Sequence, residues 1–311
     1  MTGHLDPAAP TDPAAWRRDL AQRARDRLEA ALEPILAGGR RGTGGEGEEP
    51  IVVDGFTLTV RCPLRLVHPA DDYVERTVTV RRRLGLLALR HAWEDAPPGR
   101  GDGAAPRLAR AVDRALAERE DWPSGLRQWF DGLGRAGRAA VRAAVLTWCV
   151  DVTRLVGQPD GKVARKIRWA DPFRQPRIDL AGRTLRLRGS LDAVLPDRAE
   201  GERLLLLGDA VPGVADRLRA GHAAVLRSLG TRSAPERVSV GSPASGHVER
   251  HPVDGALLDL AVDRIVEVVQ LLAAAEEPGP VPGPWCHHCH LRPDCPEGAA
   301  HVEAARAALP T

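Results

Sequence analysis

Hydrophobic and polar positions follow two different periods along this chain, and these periods separate helical from extended segments. Leucines and alanines recur at helical spacing in residues 14–37, which predicts an amphipathic helix. In residues 51–80, β-branched and polar residues alternate in "IVVDGFTLTV" and "VERTVTVRR", and this pattern predicts strands. The Gly-rich, charged segment between them, "GGRRGTGGEGEEP", is typical of a flexible linker.

The same patterns predict a mixture of strands and helices for the rest of the chain. The predicted elements are helices at 83–95, 104–120 and 136–156, strands within 183–196 and 201–213, a helix at 214–229, a strand in "PERVSVGSP" and a helix at 255–276. Strands with helices between them indicate an α/β fold, with an inserted helical lobe at about 84–170.

Composition favours a soluble globular protein. The chain has 311 residues, of which 43% are hydrophobic and 28% charged, so it can bury one large core or a core plus a lobe. Charges interrupt every long apolar run, so we expect no membrane segment. The N-terminal residues lack the pattern of a secretory signal, and the five cysteines are an odd number for disulfide pairing, so we expect a cytoplasmic location. Cys149 lies in an apolar helical stretch and is predicted to be an inert core thiol.

A close-spaced cysteine group is the strongest chemical signal. Cys286, Cys289 and Cys295 form C-x2-C-x5-C, which supplies three thiolates to one metal centre. A fourth ligand must come from elsewhere, and two sources are open. Cys62, in "VRCPLRL", would complete an all-thiolate site suited to an iron–sulfur cluster, whereas a histidine would complete a Cys3His zinc site. The interleaved candidates are His287, His288 and His290.

Four motifs together carry a family resemblance. They are "CP" near the N-terminus, G-x-x-D, D-x-x-x-G after an apolar strand, and P-G-P-x-C-x2-C-x2-R-x2-C near the C-terminus. Over residues 60–296 the chain resembles the RecB/AddB-like branch of the PD-(D/E)XK nuclease superfamily in its iron–sulfur form. The resemblance implies a restriction-endonuclease-like core sheet flanked by helices. It also implies a 4Fe–4S cluster that joins the two ends of the nuclease domain, with the ligands Cys62, Cys286, Cys289 and Cys295.

The resemblance also implies an acidic site for Mg²⁺ or Mn²⁺. "GSLD" supplies Asp192 and "GDAVPG" supplies Asp209, and in this family two such acids hold the cation. His91, in "LGLLALRHAWE", resembles the histidine that the family places upstream. Carboxylates are the oxygen ligands that these hard cations require, so the three residues are the candidate catalytic group.

The same site departs from the family at its lysine. Val211 stands where the family has lysine in D-x-K-x-G, and losing one such electrostatic donor typically costs about 10²- to 10³-fold in rate. The chain's only lysines, Lys162 and Lys166, precede the first core strand, and an arginine such as Arg203 or Arg217 is a further substitute. The following helix also lacks the family's glutamine and tyrosine. These differences favour a decayed active centre.

Three functions therefore remain open. The leading hypothesis is a nuclease-fold protein with little or no cleavage activity that binds DNA or a partner, such as a helicase or nuclease subunit. The alternatives are an active Mg²⁺- or Mn²⁺-dependent DNA nuclease with a relocated basic residue, and a zinc-stabilised protein-interaction module. A net charge of +2 shows no global excess that would indicate nucleic-acid binding. The predicted divisions are an N-terminal helix and linker (1–50), strands with the first cluster cysteine (51–83), the helical lobe (84–170), the nuclease-like core (171–283) and the cysteine cluster with its tail (284–311).

Overall fold

The structure is a computed structural model that describes residues 12–37, 50–69, 77–95, 104–157, 167–196, 201–208, 212–274 and 276–308. The α-helices are α1 (Pro13–Ala37), α2 (Pro63–Val67), α3 (Thr77–Asp95), α4 (Ala104–Ala117), α5 (Ser124–Asp131), α6 (Arg135–Val156), α7 (Val214–Thr231), α8 (Gly255–Ala273) and α9 (Pro296–Ala307). The strands are β1 (Ile51–Val53), β2 (Arg168–Trp169), β3 (Arg177–Leu180), β4 (Leu185–Arg188), β5 (Ala193–Pro196), β6 (Glu202–Leu207), β7 (Arg237–Ser242) and β8 (His247–Pro252). Short 3₁₀ turns lie at Thr57–Thr59, Ala181–Arg183, Pro284–His288 and Arg292–Asp294.

A four-leucine run in β6 shows how the layers are arranged. Successive side chains of a strand point to opposite faces of its sheet. Leu204 and Leu206 accordingly lie in one hydrophobic core, and Leu205 and Leu207 lie in the other. The sheet is therefore covered on both faces, which is why this strand is apolar at consecutive positions.

Two mixed sheets carry the strands. In the larger sheet the order is β2-β5-β6-β7-β8, and only the β6–β7 pair is parallel, with α7 as its connection. In the smaller sheet the order is β1-β4-β3, with β1 parallel to β4. The architecture is thus mixed α/β, as the sequence pattern predicts.

The first core joins α1, α7 and α8 to the sheets. Gly221 on α7 marks the closest approach of two of these helices, because an added Cβ would lie 2.9 Å from the Cβ of Ala261 on α8. The guanidinium of Arg25 on α1 also donates to the carbonyl oxygen of Leu229 at 3.0 Å. The N-terminal helix therefore packs as an integral layer of the fold.

The second core is the helical lobe, and here one strand prediction is wrong. Residues 77–80, in "VERTVTVRR", begin α3 and do not form a strand. Val80, Leu84 and Ala88 are spaced four residues apart and are fully buried among α4 and α6. The alternating β-branched residues belong to a helical stripe, whose burial in the lobe overrides their preference for strands.

The strand predicted from residue 51 is also shorter than its pattern suggests. It ends at Val53 because the carboxylate of Asp54 accepts hydrogen bonds from the backbone N–H groups of Phe56 and Thr57, both at 3.0 Å. An aspartate that caps the following backbone in this way forms a turn. Residues 57–59 continue as a 3₁₀ turn.

The remaining predicted elements are confirmed with small shifts of their ends. The helix predicted at 214–229 extends to Thr231, and the one predicted at 255–276 ends at Ala273. The helices α2, α5 and α9 and the strands β2, β3 and β8 were not predicted. In the described part of the chain no helix is both long and apolar enough to span a membrane.

Candidate functional site

Four cysteines from distant parts of the chain line one small cavity. Cys62 precedes α2 as its N-cap residue, and Cys286, Cys289 and Cys295 come from the two 3₁₀ turns before α9. Cys62 and Cys286 are buried, whereas Cys289 and Cys295 are partly exposed. The structure therefore brings together all four cysteines that the family resemblance implies as ligands.

Backbone N–H groups point at two of these sulfur atoms. The N–H of Gly283 donates to Cys286 Sγ at 3.4 Å, and the N–H of Gly298 donates to Cys295 Sγ at 3.3 Å. A Cβ on Gly298 would lie only 3.2 Å from Cys295 Sγ and 3.5 Å from Cys286 Sγ. Glycine at this position lets the start of α9 approach both sulfur atoms.

A second set of contacts holds α2 against the C-terminal segment. The imidazole of His68, which follows α2, pairs with the carboxylate of Glu277, and the His68 carbonyl oxygen lies 2.9 Å from His290 Nε2. The guanidinium of Arg264 on α8 donates to the carbonyl oxygen of Leu58 at 3.0 Å. These contacts place Cys62 beside a segment more than 200 residues away in the sequence.

The three interleaved histidines do not line the cysteine cavity. His290 instead contacts the His68 backbone, and the carbonyl oxygen of His287 accepts a hydrogen bond from Arg292 at 3.1 Å. Among the described residues, no group of three or more His, Cys, Asp or Glu side chains is arranged to hold a single metal ion.

Cys149 lies apart from this cluster, in the helical lobe. It is fully buried on α6, and its thiol donates to the carbonyl oxygen of Gly85 at 3.5 Å. Burial raises the pKa of this thiol far above its ordinary value, because desolvation disfavours the thiolate. Its position agrees with the prediction of an inert core thiol.

The first predicted acid, Asp192, forms a buried ion pair. Its carboxylate precedes β5 at the floor of a cavity of about 370 Å³, and its side chain is 1% exposed. Asp192 Oδ1 accepts a hydrogen bond from Arg82 Nη2 on α3 at 2.6 Å, and Asp192 Oδ2 accepts one from the N–H of Leu207 on β6 at 2.6 Å. Both carboxylate oxygens therefore already have donors.

His91 lies on a different face of α3 from Arg82. Nine residues separate them, which is about two and a half helical turns, so their side chains point in opposite directions. His91 is buried within 4 Å of Glu94 and Glu118 and does not line the cavity that contains Asp192. The structure therefore does not bring His91 and Asp192 together.

Asp209 and Val211 lie outside the described residues, and so do Lys162 and Lys166. The nearest described position is Gly208, whose N–H donates to the carbonyl oxygen of Gly241 at the end of β7. The roles assigned to these four residues therefore remain predictions from the sequence.

Arginines line a groove that extends from the Asp192 cavity. A second cavity, of about 1110 Å³, shares lining residues with the first, so the two adjoin, and together they are called the groove. Three aspartates line this groove, namely Asp54, Asp171 and Asp192. The arginines that line it are Arg82, Arg83, Arg174, Arg177, Arg186, Arg188 and Arg219.

Ion pairs neutralise part of this positive charge. Arg188 pairs with Asp54 at 3.1 Å within the groove. Arg186 pairs with Asp179 at 2.7 Å, and Arg219 pairs with Asp216 at 2.5 Å, both on the flanks of the groove. Arg174 also lies 3.8 Å from Asp171. Among the described residues that line the groove, the seven arginines outnumber the three aspartates.

His222 is a buried residue of this region that the sequence reasoning missed. It lies on α7 behind the groove wall, where an added Cβ on Gly55 or Gly189 would come within 3.8 Å or 3.3 Å of its ring. Burial lowers the pKa of His222 to about 4, against the opposing effect of the Asp54 carboxylate. The residue is therefore neutral at physiological pH. An isolated histidine in the helical "AGHAAV" carries no signal for this placement.

Comparison with known proteins adds little to this geometry. No family model matches the chain, and no curated protein matches it. Among solved structures, the chain is similar to the crystal structure of SSO0001, with 14% sequence identity and a TM-score of 0.32. The match covers 88% of this chain and 96% of that chain. A likeness at this level supports no conclusion about fold family or function.

Proposed function

We propose that this protein binds DNA in its arginine-lined groove and has lost, or nearly lost, the ability to cleave it. The observation that carries the proposal is the Arg82–Asp192 pair at the groove floor, at 2.6 Å. A guanidinium group neutralises the acid there, and further arginines surround it. Such a surface attracts phosphates without presenting the acid to a divalent cation. The protein would act as an accessory subunit in DNA processing, repair or defence, beside a helicase or nuclease.

The fold that we propose is the PD-(D/E)XK core of the RecB-like family. Two features support it. The antiparallel β5–β6 pair is followed by α7 and then by the parallel strand β7. Asp192 directly precedes β5, and Asp209 follows β6 in the sequence. Asp192 therefore lies beside the end of β6, where its carboxylate accepts a hydrogen bond from the Leu207 N–H group.

The reason for weak or absent cleavage lies in the partners of Asp192. Metal-dependent hydrolysis requires carboxylate oxygens that can coordinate Mg²⁺ or Mn²⁺. Arg82 and the Leu207 N–H group engage the two oxygens of Asp192, so a cation would have to displace Arg82. Val211 in place of the family's lysine removes a second requirement for catalysis.

We further propose that the four clustered cysteines hold a 4Fe–4S cluster, with Zn²⁺ as the alternative. Cys62, and none of the interleaved histidines, lines the cavity with the other three cysteines, which favours an all-thiolate centre. When bound, the cluster supplies a structural cross-link between α2 and the C-terminal segment.

A matched pair of charge reversals tests DNA binding. Arg174 in the groove and Arg154 on α6 are both highly exposed, and each lies three residues from an aspartate partner. Arg174→Glu should weaken binding of a labelled oligonucleotide about 10-fold and lower the salt slope by about 1, whereas Arg154→Glu should leave both unchanged. Fluorescence anisotropy at several salt concentrations provides the measurement. The unmodified protein, supplied with Mg²⁺ or Mn²⁺, should show no DNA cleavage above background.

Results that contradict these expectations would favour one of the competing functions. If the unmodified protein shows no salt-sensitive binding to single- or double-stranded DNA, the proposal is wrong and a protein-interaction module is favoured.

An active nuclease is the second candidate function, because the Arg82 guanidinium places a positive charge beside Asp192, where the family's lysine is missing. Robust cleavage that is lost in Arg82→Gln and in Asp192→Asn, while circular dichroism shows both variants folded, would establish that candidate, with Arg82 as the relocated basic residue.

A further inference from the structure

One aromatic side chain stands exposed at the centre of the groove. Phe56 is 58% exposed, the highest value among the large hydrophobic residues that the structure describes as exposed. Single exposed hydrophobic residues are common on protein surfaces, so exposure by itself indicates nothing. The position is informative, because Phe56 lines both cavities and thus lies where they meet.

The backbone holds this ring in a defined place. The N–H of Phe56 donates to the Asp54 carboxylate at 3.0 Å, and the Phe56 carbonyl oxygen accepts hydrogen bonds from the N–H groups of Thr59 at 2.9 Å and Val60 at 3.2 Å. The guanidinium of Arg65 on α2 lies 5.5 Å from the ring centroid, within the range of a cation–π contact. The ring is therefore positioned before any ligand arrives.

The groove arginines suggest what this ring meets. Arg83 and Arg174 also line both cavities, and so does Asp54, whose carboxylate pairs with Arg188 at 3.1 Å. Grooves that combine cationic side chains for phosphates with aromatic rings for bases are typical of proteins that bind single-stranded nucleic acids. In a duplex the faces of each base are covered by its neighbours, so a ring at the protein surface has no free base to stack on.

We infer that Phe56 stacks on an unpaired base of single-stranded DNA, while groove arginines such as Arg83 and Arg174 contact the flanking phosphates. The inference rests on the proposed function, because it specifies which form of DNA the groove takes. Arg65 orients the ring and is a positioning residue.

The test compares ligands that share phosphates but differ in their bases. The probes are a labelled oligothymidylate of about 12 nucleotides, an abasic strand of the same length and a duplex of the same length. Phe56→Ala should weaken oligothymidylate binding about 10-fold and leave binding of the abasic strand and the duplex unchanged. Phe56→Trp should retain the wild-type affinity, since it keeps an aromatic face. Leu260→Ala is the matched control, because Leu260 is an exposed apolar residue on α8 outside both cavities.

Several outcomes would overturn the inference. Phe56→Ala with oligothymidylate affinity within about twofold of wild type would exclude stacking, and so would an equal loss for the abasic strand. In either case, salt-sensitive DNA binding that Arg174→Glu weakens would leave the proposed function standing. Absence of binding to every probe by the unmodified protein would defeat both proposals. An oligouridylate of the same length identifies RNA as the ligand if it binds more tightly than oligothymidylate.

Discussion

At the scale of single residues, the groove wall depends on a histidine that remains uncharged. His222 is 2% exposed, and its Nε2 atom forms no hydrogen bond within the described residues. An added Cβ on Gly189 would lie 2.3 Å from Leu226 and 3.3 Å from the imidazole, so glycine is required there for close packing. A neutral imidazole fits this space, but a charged one would lack solvent or a bonded partner.

The low pKa of His222 predicts a loss of stability in acid. The folded-state value of about 4 lies below the ordinary 6.5, so the unfolded chain binds the proton more tightly. The free energy of unfolding should therefore be unaffected by this group above about pH 6.5 and fall between about pH 6.5 and pH 4, by about 2 kcal/mol at pH 5. Urea unfolding of His222→Met at pH 7.5 and pH 5 provides the comparison. An equally steep loss in the variant would show that other groups cause it.

At the scale of elements, α3 has two faces with different roles. Thr79, Arg82 and Arg83 recur at helical spacing and line the groove. Leu84, in contrast, belongs to the stripe that is buried in the lobe. Because Arg82 reaches Asp192 at the start of β5, the ion pair also ties the lobe to the larger sheet.

Breaking the Arg82–Asp192 ion pair should destabilise the fold. Arg82→Leu leaves the Asp192 carboxylate buried without its cation, which typically costs about 3 kcal/mol. Asp192→Asn in the same protein removes the negative charge and can keep an acceptor for the Leu207 N–H group, so it should restore part of the lost stability. Denaturant unfolding of the two single variants and the double variant measures the coupling. A double variant less stable than Arg82→Leu would contradict the assignment of the pair as the source of the loss.

At the scale of the whole molecule, the cysteine cluster joins segments that are far apart in the chain. Cys62 and Cys286 enclose more than 200 residues, and a metal bond across such a loop contributes directly to folding stability. His68, which pairs with Glu277, also links these two segments. The exposed His68–Glu277 pair adds little by comparison.

Replacing Cys62 should therefore act on the whole fold. We expect Cys62→Ser to lose bound iron as completely as Cys289→Ser and to lower the melting temperature of anaerobically prepared protein. Cys149→Ala is the control, and it should keep the iron at a packing cost on the order of 1 kcal/mol. Metal analysis, a visible spectrum and thermal unfolding provide the readouts. Stoichiometric zinc without iron, or full metal content in Cys62→Ser, would contradict the cluster assignment.

The sequence by itself determined the features that depend only on residues close to one another along the chain. The periodic apolar positions located α1, α6, α7 and α8 closely, because a helix or strand buries side chains at a regular spacing. The C-x2-C-x5-C group was visible because its thiols are close in the chain. The prediction of a strand at residues 77–80 was wrong, since Val80 fits a helical stripe as well as an alternating one.

Only the tertiary structure decided which distant residues meet. It placed Cys62 at the cysteine cavity, paired Arg82 with Asp192 and directed His91 away from that acid. It also left Phe56 exposed where two arginine-lined cavities join. Local periodicity specifies which face of an element is buried, but it does not specify the element that covers that face. The partners of these side chains follow from the packing of helices and sheets that lie far apart in the chain.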